Sequence, residues 1–130
     1  MKLNYDCIRD VLLFLKENLN VDEKLRFSEI SVDNIMENKL ISERYSIAEV
    51  AYTIHNLYQC DFIDVIECDA DNELDYVVYD VTYLGHEFLS AIHDDNIWNK
   101  IKTRLLSINI TSIPAIIGCA NNLLTALLKP

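Results

Sequence analysis

The sequence predicts an α+β fold, on three observations. Apolar residues recur at helical spacing in successive segments, and two β-prone runs flank a turn rich in Asp and Asn. Capping residues stand just before the periodic stretches. A chain of 130 residues with 51% hydrophobic content, two glycines and two prolines can build one compact domain, and is too short for two of ordinary size.

The first periodic segment follows Asn4 or Asp6, either a competent N-cap, and sets Ile8, Val11, Leu12, Leu15 and Leu19 on one side with Arg9, Asp10, Lys16 and Glu17 facing away. It reads as a helix of roughly four turns. The polar stretch from Asn20 to Lys24 ends it, and Leu25 to Ile30 alternates as a short strand does. Ser31 caps a short second helix through Val32, Ile35, Met36 and Leu40. At Ser46 a sharper start signal appears. Glu49, three residues on, completes a capping box, and Ile47, Val50, Ala51, Ile54, Leu57 and Tyr58 make the apolar stripe of a third helix running to about Gln59. Phe62 to Ile66 and Tyr76 to Tyr79 then form a hairpin across the Asp69 to Asp75 turn. Thr82 caps a long fourth helix carrying Leu84, Phe88, Leu89, Ile92, Trp98, Ile101 and Leu105, which Asp94-Asp95-Asn96 kinks or restarts.

That order of elements is the one a winged helix-turn-helix requires, with a two-stranded wing, a long fourth helix and an extra C-terminal helix. The predicted domain is residues 1–108, with 109–130 as an appended amphipathic helix.

Three passages then carry a resemblance. They are Asn4-Tyr5-Asp6-Cys7-Ile8-Arg9-Asp10, the run Asp80-Val81-Thr82-Tyr83-Leu84-Gly85-His86-Glu87-Phe88-Leu89, and Ile92-His93-Asp94-Asp95-Asn96-Ile97-Trp98-Asn99-Lys100. Together they resemble an uncharacterised winged-helix family common in phages and prophages of Gram-positive bacteria, the domain of unknown function 2513. The similarity spans nearly the whole chain and implies a winged-helix fold and a phage-linked setting, but no activity. The sequence departs from the family pattern at His93, where arginine is expected, and at Val81, where leucine is common.

Charge argues against the usual work of such a fold. The net charge is −10, and between Arg44 and Lys100 there is no lysine or arginine, against twelve acids from Glu49 to Asp95. A DNA-reading head would set the third helix in the major groove and the wing on the backbone, with cations neutralising phosphate. Here the outward positions are Glu49, Tyr52, Thr53, Asn56 and Gln59, and the wing adds Asp69, Asp71, Glu73 and Asp75. Each close charge pair with phosphate would cost on the order of 1 kcal/mol even at bulk-water dielectric. A charged partner is therefore expected to be basic. A carboxylate ridge on the hairpin could imitate a phosphate backbone, although Asp-rich turns are commonly just soluble turns.

Other chemistry finds little footing. Asp69, Asp71, Glu73 and Asp75 alternate as calcium ligands do, but the glycine and terminal glutamate of an EF-hand loop are absent. His86-Glu87 begins an HExxH pattern that fails at Ser90. His55, Cys60 and Cys68 match no zinc spacing, and with Gly85 and Gly118 as the only glycines a P-loop is excluded. Four scattered cysteines and no leader pattern suggest a reducing cytoplasm.

From Leu105 to Leu128 no residue is charged. After Ser112 and Pro114, one side of the expected helix holds Ile113, Ile116, Ile117, Ala120, Leu124, Leu127 and Leu128, and the other holds small residues. A helix without a charged side is expected to be covered twice, by its own domain and by a second chain. Asn109, Asn121, Asn122 and Pro114 argue against a membrane span.

The expectation is thus a non-enzymatic, cytoplasmic, homo-oligomeric protein without cofactor or metal. It would serve as a protein-interaction or accessory regulatory module whose acidic face binds an unidentified protein, with nucleic acid unlikely at the third helix and wing and no membrane contact. Partner binding is assigned to Tyr52, Thr53, Asn56, Gln59, Asp69, Asp71, Glu73 and Asp75, and association to Ile116, Ile117, Leu124 and Leu127. The rival readings are a dimeric DNA-binding regulator, using cations of the first helix and the end of the fourth, and a metal-dependent hydrolase.

Overall fold

The structure, a computed structural model, describes residues 3–67 and 75–107. Helix α1 (Tyr5–Asn18) starts where the Asn4 side chain accepts from the Cys7 amide at 3.2 Å, and buries Ile8, Val11, Leu12 and Leu15. The chain then makes a small looped turn closed by a bridge between Val21 and Phe27. Asp22 organises it: its carboxylate accepts from the Lys24 and Arg26 amides and pairs with the Arg26 side chain at 3.3 Å. At its tip Leu25 has φ 62° and is 84% exposed. This turn consumes most of the strand expected over Leu25 to Ile30. Only Ile30–Ser31 remains as β1.

The single second helix expected from Ser31 to Leu40 is two. Ser31 and Asn34 form a capping box on α2 (Val32–Met36), and the Asn38 side chain accepts from the Ile41 amide to begin α3 (Lys39–Arg44). A side-chain acceptor at Asn38 competes with the helical backbone there, so the helix ends and restarts. Helix α4 (Ile47–Gln59), the third helix of the sequence reading, opens on the expected reciprocal box between Ser46 and Glu49.

Asp61, at φ 60°, turns the chain into β2 (Ile63–Glu67), which runs antiparallel to β3 (Tyr76–Val81). The sheet is three-stranded rather than a two-stranded hairpin, in the order β1-β3-β2, because Ile30 and Ser31 pair with Val78 and Val77. The long fourth helix is likewise corrected to two, α5 (Tyr83–Ile92) and α6 (Asp95–Ser107). The Asp94 carboxylate accepts from the Ile97 amide at 3.0 Å and restarts the helix, the second of the two behaviours expected for that acidic stretch.

Gly85 sits in the first turn of α5, where a Cβ would collide with the Phe62 carbonyl oxygen and lie 2.8 Å from Val81 Cγ1. Its lack of a side chain is what lets α5 dock on the start of β2. One core joins these elements, with Leu12 and Leu15 of α1, Ile54 and Leu57 of α4, Ile63 and Val78 of the sheet, Phe88 and Leu89 of α5 and Trp98 and Ile101 of α6 all buried. The described chain is therefore a mixed α+β arrangement of six helices and a small antiparallel sheet. No described helix is long and apolar enough to cross a membrane. The expected helix over 109–130 lies outside the described residues.

Candidate recognition face

Helix α4 buries Val50, Thr53, Ile54 and Leu57. Thr53, assigned above to the outward face, is 1% exposed and must be removed from it. At 100° per residue it falls beside Val50, Ile54 and Leu57, and its hydroxyl is satisfied internally, donating to the Glu49 carbonyl at 2.8 Å and bonding Cys7 Sγ at 3.3 Å. Tyr52 and Asn56 are half-buried, and Gln59 is exposed. The Asn56 amide donates to the Tyr52 carbonyl at 2.8 Å.

Between α4 and β3 lies a set of rings that the sequence reading did not assemble. Tyr52 stacks on His55 with centroids 6.4 Å apart and planes at 26°, and His55 stacks on Tyr76 at 5.8 Å and 25°. Tyr58 packs on Tyr76 at 5.6 Å, tilted by 47°. His55 Nδ1 and the Tyr76 hydroxyl share a hydrogen bond of 2.8 Å, which fixes the helix to the strand. Tyr52, His55 and Tyr58 recur every three residues along one helix, which was the sequence signal for this row. Tyr76 completes it through the sheet, a contact that spacing alone does not reveal.

Acidic residues lie close to this row along the chain. Asp61 and Asp75 are exposed, and Glu67 stands opposite Tyr76 in the strand register. The Glu49 carboxyl is held below its usual range by the Ser46 amide and the Asn4 side chain that bond to it. Of the assigned wing residues, Asp75 is described, whereas Asp69, Asp71 and Glu73 lie outside the described residues. So do the association residues Ile116, Ile117, Leu124 and Leu127, and Cys68 of the weighed zinc trio.

The cations that a DNA-binding reading would need sit elsewhere, and aspartates meet several of them. A cleft of about 460 Å³ between α1, α3 and α6 is lined by Asp6, Arg9, Asp10, Arg44, Asp95 and Lys102 over the rings of Tyr45 and Trp98. Arg9 pairs with Asp95 at 2.7 Å, Arg44 with Asp10 at 3.2 Å and Lys102 with Asp6 at 2.8 Å. Trp98 Nε1 also donates to Asp6 at 3.0 Å. Burial works to raise the Asp6 carboxyl, but the bonds from Lys102 and Trp98 and the charges of Lys102 and Arg9 outweigh it and hold Asp6 low. Burial, and then the Asp10 carboxylate to which its hydroxyl donates at 2.7 Å, push the Tyr45 phenol far up.

Neither described cysteine is poised for nucleophilic work at neutral pH. Burial pushes the Cys7 thiol up to about 11, and burial with the nearby Asp61 charge raises Cys60. Among the described residues no group of three or more His, Cys, Asp or Glu could hold a metal ion.

A family model described as Hypothetical protein (DUF2513) matches residues 2–109. An uncharacterized protein of Haemophilus influenzae is 26% identical over 129 residues, covering 98% of this chain and 99% of the relative. No solved structure matches the chain.

Proposed function

The chain belongs to the DUF2513 family, and from that premise we propose that it is a non-enzymatic winged-helix protein of phage or prophage type. It works as a protein-interaction or accessory regulatory module with an acidic recognition face. Support for the winged-helix assignment comes from the order of elements and from the first strand pairing beside the hairpin, as β1-β3-β2. The recognition helix is then α4, and β2 with β3 is the wing.

One observation carries the functional reading. No lysine or arginine occurs between Arg44 and Lys100, and that stretch contains all of α4, β2 and β3. A face without cations gains nothing from counterion release on a duplex, which is the source of almost all non-specific affinity. The rival regulator would need a basic surface on α1 and α6, where Arg9 and Lys102 already lie against Asp95 and Asp6. A second copy joins through Ile116, Ile117, Leu124 and Leu127 of the uncharged tail, in a cytoplasmic setting.

Electrophoretic mobility of random duplex DNA at low salt tests the reading. We expect no retardation at micromolar protein, and retention of the duplex overturns the proposal in favour of the regulator. Removing residues 109–130 and measuring mass in solution tests the association, which is refuted by an unchanged oligomer.

A further inference from the structure

We infer that the ring row of Tyr52, His55 and Tyr76 receives the guanidinium of an arginine in a basic segment of a partner protein. This rests on the reading of α4 and the wing as a protein-recognition face, and names the chemistry of what binds there.

The geometry has three parts. First, the rings are nearly parallel, at 26° and 25°, and all three are half-buried, so each keeps some exposure while packing restrains it. The His55–Tyr76 bond of 2.8 Å and the Tyr58 ring against Tyr76 hold the row from behind, so little side-chain freedom is lost on binding. Second, the faces of such rings are electron-rich and attract cations, and a planar guanidinium can stack on them as a further layer. Third, the charge of this part of the chain is negative: Asp61, just after α4, and Asp75, just before Tyr76, are exposed, and no lysine or arginine occurs from 45 to 99. A cationic side chain is favoured there over an anionic one. A nucleic-acid base could also stack on rings, but its phosphates would enter a region that has no cation to meet them. Lysine brings the charge without the plane.

The test uses the full chain and two short fluorescein-labelled peptides, one alternating arginine with serine and one alternating lysine with serine, read by anisotropy at low salt. The arginine peptide is expected to bind more tightly than the lysine peptide. Tyr52→Leu removes a ring and no charge, and is expected to weaken the arginine peptide by about fivefold to tenfold. Tyr52→Phe restores the ring and the affinity. Circular dichroism checks the fold of each variant, and Tyr52→Gln serves if the leucine variant does not fold. Equal binding of the two peptides, together with no effect of losing the Tyr52 ring, overturns the inference and leaves the acidic-face reading intact. Absence of any arginine-peptide binding also overturns it. The underlying reading fails separately, by retention of random duplex DNA.

Discussion

Arg9 is expected to be the polar side chain whose loss costs this fold most. It reaches from α1 to the break between α5 and α6, where Nε donates to the Ile92 carbonyl at 3.1 Å and a terminal nitrogen donates to the His93 carbonyl and to Asp95, each at 2.7 Å. Those two carbonyls belong to the C-terminal end of α5, where backbone acceptors lack helical partners and a cation is favoured. Arg9→Met keeps the stem and removes every donor. The Ile92 carbonyl, on a residue buried at 0% exposure, is then left unsatisfied, at about 1–3 kcal/mol. Loss of the cation at the helix end and over the Trp98 ring, 5.9 Å from the guanidinium carbon, adds about 1 kcal/mol. The Asp95 side chain is 83% exposed against 14% for Arg9, so the ion pair itself contributes only about 0–1 kcal/mol. The expected totals are therefore about 2–5 kcal/mol for Arg9→Met and under about 1 kcal/mol for Asp95→Asn. Urea unfolding followed by the fluorescence of Trp98, the single tryptophan and 2% exposed, measures both. Equal losses for the two variants would refute the reasoning, since the pair and not the helix end would then carry the stability.

Other substitutions give outcomes of different sign. Gly85→Ala, which in an ordinary helix would stabilise, is expected to destabilise by about 1–3 kcal/mol, because the new methyl meets the Phe62 carbonyl; thermal melting reads it. Leu25→Asn removes an unfavourable left-handed conformation from a side chain that packs on little, and should raise stability by up to about 1 kcal/mol in urea titrations. For Asp6 the folded carboxyl titrates below its unfolded value, so its contribution is complete above pH of about 4 and is lost as pH falls through the folded value. Asp6→Asn should lower the melting temperature at neutral pH and converge with the parent in acid; a gap that does not narrow as the pH falls would rule this out.

Much of the fold was legible because local signals and tertiary packing agree. The Ser46–Glu49 box, the Asn4 cap and the apolar stripe of α1 are all short-range features, and the structure keeps them. Where a side chain competes with the backbone, the sequence reading ran past the boundary, as at Asn38 and in the Asp22 turn. Thr53 was misplaced for a different reason. A hydroxyl that bonds its own helix carbonyl is quiet enough for a core position, so polarity alone did not reveal its side. The Arg9 clasp and the close approach at Gly85 join residues far apart in the chain, and no periodicity encodes them. Of the candidate face, Gln59 and Asp75 are exposed while Tyr52 and Asn56, expected to point outward, are half-buried, and Tyr76 entered only through the sheet.

The antiparallel course of α6 along α1 gives the molecule two poles. Arg9 meets Asp95 and Asp6 meets both Trp98 and Lys102, so the last turn of α6 passes the beginning of α1, where Asn4 bonds Glu49 at the start of α4. The rings at His55 and Tyr58 lie roughly two turns further along α4. The ring row therefore lies toward the end of α4 away from the Asn4–Glu49 junction, so substitutions at the two ends of that helix can be read independently.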